Sequence, residues 1–209
     1  MTEQEALDWL DARGDVSRET LVALHTLRDL VATENENQNL IARSTLDQFF
    51  ARHIVDSVQL LDHAGTPKNW IDLGSGPGFP GLVIAIMRPA IPVLLVESRR
   101  RRVDFLLHVA KRLNLANVSV AGARLETVPS EPFDAISARA FAPLDRLLPL
   151  AHRFSKPDTV WVLPKGRGAA NELEAVQTSW QGKFRIVPSV TDPEAAIIVA
   201  DHVQPKGRR

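Results

Sequence analysis

The chain has 209 residues, 44% of them hydrophobic and 24% charged, with no cysteine and no tyrosine. That length fits one ordinary domain, with or without a small extension, and the composition excludes disulfides, thiolate metal centres, thiol nucleophiles and phenolic acids or bases. The net charge of +0 hides an asymmetry: residues 1–66 sum to −7 and residues 67–209 to +7, so a polyanionic partner is expected for the second part.

The N-terminal third reads as helices. Its start, MTEQEALDWL, lacks the basic-then-apolar pattern of a secretory signal. Thr2 and Glu5 form a capping-box pattern ahead of Ala6, Leu7 and Leu10. Ser17 precedes Leu21, Leu24, Leu27, Leu30 and Val31, spaced by threes and fours. Ser44 with Asp47 opens a third helix carrying Leu46, Phe50, Ile54, Val58 and Leu61 on one face, and Gly65 with Pro67 ends it.

After Pro67, short apolar runs alternate with helical ones. Strands are predicted over 70–73, 93–96, 117–120, 133–137 and 159–163, and helices over 81–87, 102–113, about 143–153 and about 168–180. In the helix 102–113, Val103, Leu106, Leu107 and Ala110 are expected to face inward. The runs 184–190 and 195–203 flank Asp192 and Pro193 and read as a terminal antiparallel hairpin. The alternation predicts an α/β fold, a mostly parallel seven-stranded sheet covered by helices on both faces. A helical extension over 1–66 would precede an α/β domain over 67–209. No apolar run reaches the ~18 residues of a membrane span, and a soluble, cytoplasmic protein is expected. The six histidines lack HExxH or His-x-His spacing, so no metal site is expected.

The most informative segment is Ile71 to Gly81 at the first strand-to-helix turn, where ligands bind in open α/β sheets. Two registers compete. Gly76, Gly78 and Gly81 satisfy a dinucleotide fingerprint with Glu97 some 20 residues on; Gly74, Gly76 and Gly78, preceded by Asp72, form an S-adenosylmethionine loop. A pyrophosphate wants backbone N–H donors and positive potential, but Pro77 has no N–H and Asp72 adds a carboxylate. S-adenosylmethionine carries an ammonium and a sulfonium, so that acid becomes an asset. Glu97 can accept both ribose hydroxyls. Asp72, Gly74, Gly76, Gly78 and Glu97 are therefore candidate cofactor residues.

The segments DLGSGPGFPG, ESRRRRVDFL, GARLE, SARAF and LPKG, with NL at 39–40 and RHIVDS at 52–57 upstream, together resemble the RsmG family, also called glucose-inhibited division protein B. These motifs run in unbroken order from Asn39 to Gly168. The resemblance implies a Rossmann-like fold and an S-adenosylmethionine-dependent enzyme that methylates guanine N7 in small-subunit (16S) ribosomal RNA. It also implies cofactor contacts at Gly74, Phe79, Leu125, Glu126 and Arg139. Many relatives carry consecutive acids after the GARLE-like stretch, whereas here Glu126 is followed by Thr127.

Guanine N7 attacks through a lone pair that carries no proton, so proximity should dominate and no general base is required. Pyrimidine C5 methylation needs a cysteine, which is lacking. Exocyclic-amine methylation usually shows an Asn/Asp-Pro-Pro-aromatic loop, where this chain has SARAF. Arg139 is the catalytic candidate, either orienting the cofactor carboxylate or donating to guanine O6. Arg52, His53, Lys165 and Arg167 are the candidate RNA contacts, and the run Arg99 to Arg102 opposes the dipole of the helix it starts. The expected partner is small-subunit ribosomal RNA or the subunit itself, met by a monomer. A small-molecule methyltransferase, a hydride-transfer enzyme on the dinucleotide register, and a non-catalytic RNA-binding or assembly protein stay open at this point.

Overall fold

Seven strands form one sheet in the order β3-β2-β1-β4-β5-β7-β6, in a computed structural model that describes residues 1–207. They are β1 (Trp70–Leu73), β2 (Val93–Val96), β3 (Val118–Ala121), β4 (Ala135–Ser137), β5 (Val160–Lys165), β6 (Trp180–Pro188) and β7 (Ala196–Pro205). The first five are parallel, and β7 runs antiparallel to both β5 and β6. The expected hairpin is thus present, with longer arms than the apolar runs alone mark. The chain winds from β1 outward to β3, then returns to place β4 on the other side of β1, which makes the β1/β4 boundary the switch point where an open α/β sheet leaves a crevice.

Each face of the sheet has its own apolar cluster. On one side, Trp70 and Leu95 pack with α4 (Gly81–Met87), α5 (Arg100–Arg112) and the N-terminal helices α1 (Glu3–Asp11) and α2 (Arg18–Glu34), whose Leu10, Leu24 and Leu27 are fully buried. On the other, Ile71, Leu73 and Trp161 pack with α6 (Leu144–Ala151) and α7 (Ala169–Val176). Strand β1 is therefore buried on both faces, which is why it reads as an apolar run rather than an alternation.

The capping signals at α1 and α2 hold: Thr2 Oγ1 accepts from Glu5 N–H, Glu5 Oε2 accepts from Thr2 N–H, and Ser17 Oγ accepts from Thr20 N–H. The third helix departs from expectation. It runs as a 3-10 turn over Arg43–Gln48, a π-helical turn over Phe50–Val55, a short α3 (Asp56–Val58) and a second 3-10 turn over Gln59–Asp62. Ser44 makes no cap. The N–H groups of Phe50 and Ala51 are taken instead by the two carboxylate oxygens of Glu3, at 2.9 and 3.0 Å, an acceptor 47 and 48 residues away that no local pattern announces. Leu46 is half-buried, and Phe49 takes the fully buried place.

Helix α5 also corrects one expectation. Leu107 is 51% exposed, whereas Phe105 and Val109 are buried beside Val103 and Leu106. Helix α2 lies against α5 as well as the sheet does, so the buried stripe is rotated towards the Phe105 and Val109 side.

Candidate functional site

The loop between β1 and α4 turns on three glycines with left-handed backbones, Gly74, Gly76 and Gly78, at φ of 68°, 56° and 100°. Gly74 is doubly constrained. A Cβ there would meet the left-handed penalty and would also fall 2.3 Å from Phe141 Cδ2, because the ring of Phe141 lies against its α-carbon. Beneath the loop, Asp72 is fully buried: its Oδ2 accepts the Gly81 N–H at 3.2 Å and its Oδ1 accepts the Ser137 hydroxyl at 2.7 Å, while Ser137 Oγ accepts from Trp70 Nε1–H. Burial pushes the Asp72 carboxyl above the usual carboxylate range, opposed by the hydrogen bonds from Ser137, Ser75 and Gly81. Asp72 thus anchors the loop from below and presents no surface to a ligand.

At the end of β2, Glu97 holds the loop from the side. Its Oε2 accepts the Gly76 N–H at 3.0 Å and its Oε1 the Arg99 N–H at 2.8 Å, with Arg102 4.0 Å away. The groove it borders has a volume of about 260 Å³ and is lined by Gly74, Glu97, Arg102, Leu125 and Phe141 among others. Glu126 follows Leu125 on the exposed side of that wall.

A larger cleft of about 600 Å³ opens between the N-terminal segment, the end of β5 and the β6–β7 turn. The two spaces share Ala140 and Phe141 as a common wall, and Ala140 itself is left-handed at φ 51°. Arg139 reaches into the larger cleft. Its guanidinium donates to Asp56 Oδ2, to the Arg52 carbonyl and to His53 Nδ1, each at 3.3 Å, and lies 5.2 Å over the Phe79 ring. Phe79 is buried and stacks on His53 at 5.0 Å between ring centroids.

Two of the residues expected to touch RNA are set into the wall of this cleft rather than standing on its rim. His53 is 7% exposed, and burial, reinforced by the charges of Arg139 and Arg52, pulls its pKa down to about 3, so it is a neutral group inside the fold. Lys165 sits in the cleft wall, its side chain 10% exposed, with Nζ donating to Glu172 Oε2 at 2.8 Å and to the Ala142 carbonyl at 3.1 Å. Lys165 pairs with Ala196 of β7, which also lines the cleft, a neighbour that a strand-end motif cannot reveal. Arg52 and Arg167 do stand on the rim, paired with Asp192 and Glu194. Sequence reading missed Thr45, Phe141 and Glu172. Only Phe141 carried a signal, as the aromatic of SARAF, because the other two reach the cleft by tertiary packing.

Among the described residues no group of three or more His, Asp or Glu is placed to hold a metal, and no helix is long and apolar enough to cross a membrane.

Comparison with known proteins agrees with this architecture. The chain is 60% identical, over its whole length and 96% of the relative's, to the ribosomal RNA small subunit methyltransferase G of Rhizorhabdus wittichii. It is 49% identical to the protein of the same name in Zymomonas mobilis, over its whole length and 98% of that relative's. In structure it resembles an S-adenosylmethionine-dependent methyltransferase from Aquifex aeolicus, with a TM-score of 0.59 at 15% identity over 80% of this chain and 97% of that one. A ribosomal protein L11 methylase from Lactobacillus delbrueckii gives 0.55 at 14% identity over 73% and 77%. The fold is therefore the Rossmann-like one of these methyltransferases, as the family resemblance implies, and its mostly parallel sheet is the one that the strand and helix alternation predicts. Residues 20–196 match the family described as rRNA small subunit methyltransferase G, and with relatives this similar over full length the chain belongs to that family of ribosomal RNA methyltransferases.

Proposed function

We propose that the protein transfers the methyl group of S-adenosylmethionine to N7 of a guanine in small-subunit (16S) ribosomal RNA, in the cytoplasm where subunits are assembled. The observation that carries this reading is the left-handed glycine loop, held by Glu97 beside a groove that shares the Ala140 and Phe141 wall with a second cleft roomy enough for a base.

The residues fit that cofactor better than a dinucleotide. The loop's backbone donors are largely spent: Gly76 N–H goes to Glu97, Gly81 N–H to Asp72, Gly78 N–H to the Ser75 carbonyl, and Pro77 and Pro80 have none. A pyrophosphate needs those donors free. A cationic, phosphate-free ligand needs only the clearance of Gly74, Gly76 and Gly78, the acceptor oxygens of Glu97 for its ribose, and the apolar wall of Leu125, with Glu126 at the adenine end. S-adenosylmethionine supplies a methyl group already activated on a sulfonium. Phe79 and Asp72 act through the loop they support. Arg139 orients the carboxylate end of the cofactor and the guanine beside it. No side chain is asked to remove a proton, since N7 carries none. On the rim, Arg52, Arg167 and the exposed Arg99, Arg100 and Arg101 face the phosphates of the RNA.

The test is methyl transfer from labelled S-adenosylmethionine to small ribosomal subunits from cells lacking the gene, followed by mass spectrometry of the nucleosides. N7-methylguanosine is expected. Label in another nucleoside, or none with binding of a nicotinamide dinucleotide instead, rejects the assignment.

A further inference from the structure

We infer that His53 is a positioning residue for Arg139, its Nδ1 lone pair together with the Asp56 carboxylate aiming the guanidinium into the cleft. This rests on the reading of Arg139 as a cofactor-orienting group. Among the described residues, every polar partner of that guanidinium comes from one short stretch, Arg52 to Asp56, whose π-helical turn brings the Arg52 carbonyl, the His53 ring and the Asp56 carboxylate to one side of it. Phe79 from the glycine loop closes another side. Each contact is long for a hydrogen bond, so the aim depends on all three acceptors acting together.

The protonation of the ring follows from its neighbours. An arginine has donors only, so His53 Nδ1 must carry the lone pair, and the ring proton sits on Nε2. Nε2 then donates to Thr45 Oγ1 at 2.9 Å, and the Thr45 hydroxyl donates to the Ala42 carbonyl at 2.7 Å. From Arg139 to Ala42 every donor points one way. A protonated imidazole would break the first link, setting donor against donor, and would place a second cation beside the guanidinium. The groups facing the ring are Arg139 and Arg52, and burial among Phe49 and Phe79 keeps it neutral.

Packing against Phe49 and Phe79 uses no ring nitrogen, and the bond to Thr45 uses only Nε2. The stack on Phe79 and the tilted contact with Phe49 at 5.4 Å use only the flat face and edge of the ring, which phenylalanine supplies equally. Among the described residues, the acceptor at Nδ1 has one partner, Arg139. That separates aiming from packing by substitution: His53→Phe keeps the ring and loses the acceptor, whereas His53→Asn places an amide oxygen near Nδ1 and loses the ring; both lose the Nε2–H donor to Thr45, so the difference between them reads the acceptor.

Calorimetric titration of the full chain with S-adenosylmethionine, paired with thermal melting, tests this. The wild type should bind; His53→Phe should melt close to it yet bind at least about tenfold more weakly, the scale of a hydrogen bond to a charged group, and His53→Asn should stay within about threefold. In an Arg139→Ala background, His53→Phe should add nothing. Equal affinity of His53→Phe and wild type, equal losses in the Phe and Asn variants, or a further loss without Arg139 would each overturn the inference. Absence of binding by the wild type would instead overturn the cofactor reading beneath it. Should the variants fail to fold, nitrogen-15 spectra of the wild-type imidazole decide: a proton on Nδ1, or titration near the ordinary histidine pKa, refutes the arrangement.

Discussion

Glu97 holds the glycine loop with the same carboxylate that the proposed function assigns to the ribose. It stands at the end of β2, where reading the sequence expects a ribose acceptor, but two of its lone pairs already hold the Gly76 and Arg99 N–H groups. Glu97→Ala should therefore lower cofactor affinity and also destabilise the apoprotein by about 1–3 kcal/mol, because a buried backbone donor loses its partner. Calorimetry and denaturant unfolding should show both losses; a loss of affinity alone would mean that the loop stands without it. His53 gives a prediction in pH. Its folded pKa of about 3 lies below the unfolded value near 6.5, so the unfolded chain binds more protons in between. Its contribution to stability is thus complete above about pH 6.5 and is lost as pH falls towards 3. Unfolding midpoints of the wild type should drop relative to His53→Phe as buffers go from pH 7 to pH 4.5, and a constant difference would refute the assignment.

At the scale of elements, the β1–loop–α4 unit was legible because glycine is chemically conspicuous where a backbone must turn left-handed or pack closely. The structure adds which glycine is crowded by what. A Cβ on Gly81 would fall 2.2 Å from Leu95 Cδ2 and 2.9 Å from Asp72 Oδ2, so α4 starts flush against the sheet. Gly81→Ala should cost about 1–3 kcal/mol through overpacking, whereas Gly14→Ala, with nothing within 4 Å, should be near neutral, a contrast that thermal melting reads directly. Helix α5 was legible as a helix but misread in facing. Leu106→Ala should cost about 2–5 kcal/mol and Leu107→Gln less than about 0.5, and the opposite order would restore the inward assignment of Leu107.

For the molecule as a whole, the acidic N-terminal residues build half of one core and one wall of the larger cleft. Leu10, Leu24 and Leu27 share a cluster with Leu82 and Leu106, and Thr45, His53 and Asp56 line the cleft with Arg139. Deleting residues 1–34 should therefore leave residues 35–209 insoluble or without a cooperative unfolding transition; a truncated chain that melts sharply and binds S-adenosylmethionine would show the N-terminal helices to be dispensable. The sequence by itself determined the strand and helix order, the glycine loop, the two acids beside it and the family, because each depends on neighbours within a few residues or on residue types with singular chemistry. The tertiary structure alone decided that Asp72 lies beneath the loop, that Lys165 turns into the cleft towards Glu172, that Glu3 supplies the donors' partner at Phe50 and Ala51, and that Arg139 is held from the N-terminal segment. Those outcomes join residues tens of positions apart, and what selects them is the burial of shared apolar surface and the pairing of buried polar groups, neither of which leaves a periodic trace along the chain.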